Sequence, residues 1–189
     1  MSGSKSVKLR AIVAAVALFA VMLGVGLAAV TSSGYRSVCS LSNLHTREKV
    51  IVGGKIVPIG TQGVVVHIGN AVFKSTGVSY SPTYAVVKRV RGSFGSLDND
   101  DSYALFVIGD PDCKGNVVVA LYSAKTFTAR YGMHAVMEEN VVVEGYYDPN
   151  LTAVIVTPDG HEIEGHVLVV TKILKGCHEA YSQGTAVAQ

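Results

Sequence analysis

A thiol and a phenol four residues apart, Cys177 and Tyr181, follow a run of apolar strand-formers near the end of this chain. His178 stands beside the thiol, and Lys172 and Lys175 precede it. These side chains share one chemistry. A thiol can add across a porphyrin vinyl group, and a tyrosine phenolate can ligate ferric haem iron. Thiolate is the reactive form of cysteine, and Lys175 with a protonatable His178 is expected to favour it. Spacing adds a condition. On an extended strand positions 177 and 181 lie about 13 Å apart, but on a coiled segment their β-carbons come within about 5–6 Å. A joint role therefore requires a coiled tail, and Gly176 is placed to let the chain leave the strand.

The elements that must position these residues read as strands. Apolar or alternating runs cover 50–58, 63–68, 84–90, 103–108, 117–122, 141–147, 151–157, 161–164 and 165–174. Gly53-Gly54 interrupts the first, as expected where a strand bends or bulges. Residues 92–101 form a Gly/Ser/Asp loop, Asp148-Pro149-Asn150 closes one strand, and Pro158-Asp159-Gly160 signals a tight turn. The stretch 129–137 carries mixed signals that include a short helical turn. Many short strands with frequent turns predict an all-β sandwich or barrel, and among small barrels the OB type suits this length.

Valine dominates the apolar set, Trp is absent, and the net charge of +2 over 189 residues leaves no electrostatic footprint for nucleic acid. Residues 11–30 are uncharged and apolar or glycine, long enough for one membrane-crossing helix of about 30 Å. Lys5, Lys8 and Arg10 precede them, which predicts a cytoplasmic N-terminus at 1–10 and an exported remainder. A cleaved signal peptide is the competing reading, disfavoured by the length of the run. The expected order is then a signal-anchor at 11–30, a Ser-rich tether at 31–47, a β-domain at 48–181 and a polar tail at 182–189. Cys39, Cys113 and Cys177 make an odd set outside the cytosol, leaving one thiol unpaired or intermolecular.

Four blocks in order (50–58, 103–112, 138–145 and 165–181) resemble the membrane-anchored haem chaperone of cytochrome c maturation, the CcmE family, in its Cys-x-x-x-Tyr variant. The resemblance implies an OB-like haem-binding domain that is not an enzyme in the turnover sense. It implies covalent haem attachment at Cys177, axial iron ligation by Tyr181 and propionate contacts from Lys172 and Lys175. His178 is either an alternative ligand or a bystander, and residues 167–174 supply part of an apolar platform. A Cys39–Cys113 bridge sparing Cys177 would suit this reading. The implied partners are a haem-delivery membrane protein, haem-lyase components and, indirectly, apocytochrome c. Departures exist: residues 59–99 are longer than the family's link, Gly176 replaces its lysine, and 182–189 lacks its proline-containing tail.

Blander readings stand beside these. A lone cysteine in a β-domain is usually a small buried hydrophobe, although here Lys-Gly before it and His-Glu after it argue for exposure. His161-Glu162-Ile163-Glu164-Gly165-His166 misses a zinc-protease motif, because Gly165 occupies the second histidine's place. Gly53-Gly54-Lys55 lacks the rest of a phosphate loop. Asn150-Leu151-Thr152 is a glycosylation sequon only in a host that modifies exported proteins. An anchored OB module for a peptide or glycan is the alternative function, and a Cys177 thiol oxidoreductase lacks a partner thiol nearby in sequence.

Overall fold

Valine-rich runs that bury alternate or all side chains build the molecule. The computed structural model describes residues 34–41, 44–77, 81–113 and 115–179. Tyr181, the expected span 11–30 and the tail 182–189 lie outside them.

Among the described residues, nine strands form one sheet. They are β1 (Arg36–Ser37), β2 (Glu48–Val57), β3 (Val65–Ile68), β4 (Ala71–Ser75), β5 (Ala85–Arg91), β6 (Ser102–Gly109), β7 (Val117–Ser123), β8 (Ala135–Val156) and β9 (Glu162–Glu179). The one α-helix among the described residues, α1 (Ala124–Tyr131), joins β7 to β8. Its Ser123 cap accepts from the Thr126 N–H, and Gly132 at φ 74 closes its other end.

The pairings close on themselves. β2 runs antiparallel to β6 and to β8, β6 antiparallel to β7, β7 parallel to β9, and β9 antiparallel to β8. The segment 59–99 adds a second circuit: β3, β4 and β5 run from the distal half of β8 round to β6.

β6 and β7 explain why two cores result. Both are almost continuously apolar because both faces are covered. Ala104, Phe106, Ile108, Val118, Ala120 and Tyr122 face a first core, shared with Val52, Val143, Leu168 and Val170. Tyr103, Leu105, Val107, Val119 and Leu121 face a second, shared with Val66, Phe73, Val87, Ile155 and Val167. Each large side chain so buried contributes about 1.5–3 kcal/mol. The Gly/Ser/Asp loop is tied to the second core by charge. Asp98, with no exposed side-chain surface, pairs with Arg89 and accepts from Tyr103 Oη at 3.1 Å.

Several expectations need correcting. The runs 141–147 and 151–157 are one strand, β8, in which Asp148-Pro149-Asn150 forms a bulge against β9 rather than a closing turn. Gly53-Gly54 is no interruption: the register from Glu48 to Lys55 against β8 is unbroken. Glycine is needed there for close approach, since a β-carbon would sit 2.5 Å from the Tyr35 ring at Gly53 and 2.6 Å from the Gly109 carbonyl oxygen at Gly54. The expected coiled exit at Gly176 is absent, because β9 continues in the ladder to Glu179. The expected transmembrane helix has no counterpart among the described residues, and its span 11–30 lies outside them. Among the described residues no helix is long and apolar enough to cross a membrane, and the α-helix found has eight residues.

Candidate functional site around Cys177

Cys177 lies where β9 resumes pairing after an irregularity. Met137 is its partner across the ladder, and the next pair inward is Val142 with Lys175. Residues 138–141 of β8 therefore stand opposite Gly176 alone, which adopts φ 86 to accommodate them. This bulge turns the sulfur inward. Cys177 is half-buried and packs against the first core, as does Tyr131.

Its acidity follows from that position. Burial, and then the Glu138 carboxylate, push the thiol up to about 12. The expectation of a favoured thiolate is thus reversed: the group at rest is protonated. The flanking charges are real but outward. His178 is exposed with Nδ1 3.5 Å from a Glu138 carboxylate oxygen. Lys172 and Lys175 are exposed too, and Lys172 lies across from Glu144, which Lys49 already engages at 2.9 Å.

The apolar platform is reassigned as well. Val167, Leu168, Val170 and Ile173 are spent on the two cores. Leu174 remains exposed, together with Val136, the cross-strand partner of His178, and Met133 just ahead of β8. Tyr181 falls outside the described residues, so its approach to Cys177 has no geometry here.

Three aromatic residues in or against the core on which the thiol packs escaped the sequence reading. Tyr122 is 2% exposed, and its hydroxyl has no protein hydrogen-bond partner among the described residues. Phe127 meets the Tyr122 ring edge-on at 6.1 Å and the Tyr131 ring at 5.4 Å. Tyr131 donates to the Ile173 carbonyl oxygen at 3.3 Å. Burial raises both phenols, and both lie close enough to Cys177 for a charge on its sulfur to raise them further. The available signal was the i, i+4 spacing of Phe127 and Tyr131, which marks one face of a helix.

The other two cysteines are joined. Cys39 and Cys113 form a disulfide across 74 residues, leaving Cys177 the free cysteine. Asp110 lies beside it, accepting from the Ser37 hydroxyl at 2.5 Å, and this bond holds its carboxyl below the usual range. Cys39, Asp110 and Cys113 are the one set of metal-ligand atoms within 4.8 Å of one another among the described residues, but the two sulfurs are bonded to each other. His161 and His166 join no such set among those residues. A separate cleft of about 340 Å³ adjoins the disulfide and is lined by Asn116, Tyr147, Thr152, Glu164 and His166.

No family model, curated protein or solved structure matches this chain. Haem, iron and cytochrome biogenesis therefore rest on the motif resemblance and on the chemistry of the residues themselves.

Proposed function

We propose that this chain is a haem carrier for the maturation of c-type cytochromes. It receives haem from a delivery protein on the extracytoplasmic side and passes it to the machinery that loads apocytochrome c. The observation that carries the reading is the Cys39–Cys113 disulfide, which uses two of the three cysteines and leaves Cys177 free at the end of β9. A disulfide also suits an oxidising compartment.

The pairing circuit of β2, β6, β7, β9 and β8 supports an OB-type barrel as the scaffold. Its single parallel pair, β7 with β9, and its helix between β7 and β8 suit that arrangement. The segment 59–99 is then an elaboration that walls a second core.

In this reading Cys177 is the attachment point. Its S–H adds across a vinyl C=C, the sulfur bonding to one carbon and the hydrogen ending on the other, so no oxidant is needed. Tyr181 is the axial ligand, with His178 as the alternative. Lys172 and Lys175 offer exposed positive charge to propionates. Leu174 and Val136 present apolar surface beside them. The chain carries and hands over its cargo rather than turning over a substrate.

The test is co-expression with haem-export partners, followed by a denaturing gel stained for haem. Wild type should stain and Cys177→Ala should not. An unstained wild type, or full staining of Cys177→Ala, refutes the attachment. The cleft beside the disulfide favours a second reading, an OB-like module that binds a peptide or glycan without haem. Ligand retention by wild type that is lost in His166→Ala, but not in Cys177→Ala, would select it.

A further inference from the structure

The end of β9 is joined to the rest of its ladder by a weak link. Among the described residues three pairs lie beyond the bulge: Met137 with Cys177, Val136 with His178, and Ala135 with Glu179. Four β8 residues stand against Gly176 at that junction, so the three outer rungs are separated from the pairs at Val142 and Val143. Among the described residues, the side-chain polar contact at these rungs is His178 with Glu138, at 3.5 Å and half-exposed on both sides. Short terminal segments of this kind open at far lower free energy than the body of a sheet.

The core on which these rungs pack holds a group that gains from opening. Tyr122 is almost wholly buried, yet its hydroxyl has no protein hydrogen-bond partner among the described residues. A hydroxyl kept from water without a partner destabilises the state that buries it, and hydration restores what is missing. Ala135 and Met137 belong to the core that holds Tyr122, and Cys177 packs against it, so displacing the outer rungs loosens the packing around sulfur and hydroxyl together.

We propose that residues 177–179 form a gate over the Cys177 thiol, and that Tyr122 is the positioning residue that sets how often the gate opens. The thiol is then a conditional reaction site: shielded from electrophiles when the rungs are made, available when they part. The gate does not depend on haem being the eventual electrophile, and its test uses none.

The probe is 4,4′-dithiodipyridine on the native full-length chain. Its S–S bond breaks, a new S–S bond forms to Cys177, and the thiol proton leaves with the released thiopyridone. Wild type should label well below the rate of the denatured chain. Tyr122→Phe removes the frustrated hydroxyl while keeping the ring, so it should slow labelling by about five- to a hundredfold. Amide exchange at 177–179 should slow by the same factor, with the amides of 167–170 unchanged. A variant that merely stiffens the whole fold would slow both sets. Native wild type labelling at the denatured rate overturns the gate. Tyr122→Phe labelling as fast as wild type, or faster, overturns the role of Tyr122, since the hydroxyl would then be satisfied in the closed state.

Discussion

A β-carbon on Gly176 would stand 2.2 Å from the carbonyl oxygen of Asn140, and Gly176 adopts φ 86. Both facts exclude a side chain at the residue preceding the thiol. The left-handed backbone alone costs a non-glycine residue about 1–3 kcal/mol, and backbone rather than a movable side chain blocks the space. Gly176→Ala should lower stability by at least that amount in urea denaturation, and Cys177 should label faster because its rungs are displaced. Unchanged stability would mean that the bulge adapts freely.

Arg89 and Asp98 form the second test. The Asp98 side chain is fully enclosed and also accepts from the Phe94 N–H at 3.3 Å. Arg89 donates further to the Asp100 carbonyl oxygen at 2.5 Å and lies 5.9 Å from the centre of the Phe73 ring. Arg89→Met keeps apolar bulk and strands a buried carboxylate, which should cost about 3–5 kcal/mol. A loss near zero in a denaturant titration would show that water reaches Asp98.

The alkaline limb of stability gives a third. The Cys177 thiol is raised from 9.0 to about 12, so the folded chain holds a proton that the unfolded chain releases. That contribution is fully present below pH 9.0 and is lost as pH rises towards 12. Tyr103, raised by burial from 10.0 to about 12, acts in the same direction from a higher starting point, as do Tyr122, Tyr131 and Tyr147. Urea midpoints should fall above pH 9, and in Cys177→Ala the fall should begin about one unit later. Identical curves would place the native thiol in water.

Much of the sheet was legible because apolar runs record burial directly. β6 and β7 stand out as continuous runs, and turn signals separate most neighbours. The errors have physical causes. Asp148-Pro149-Asn150 reads as a turn, yet a bulge tolerates proline's missing N–H just as well, so β8 continues through it. β4 went unread although Gly69-Asn70, between Ile68 and its partner Ala71, is a two-residue hairpin loop. Helix α1 has eight residues and two threonines, too little pattern to declare itself. At the thiol, local polarity pointed outward while the bulge at Gly176 turned the sulfur inward. That is a tertiary effect with no signature in neighbouring residues. The disulfide was foreseen as compatible with the functional reading, but its pairing needed three dimensions.

β8 and β9 act as party walls. Val143, Leu168 and Val170 serve one compartment while Ile155 and Val167 serve the other, on the same two lengths of chain. Neither compartment can be dismantled without stripping its neighbour of a side. A lesion at Ile155, on the far stretch of β8, therefore weakens the footing of the segment that bears Cys177, and the long insert is a buttress rather than ornament.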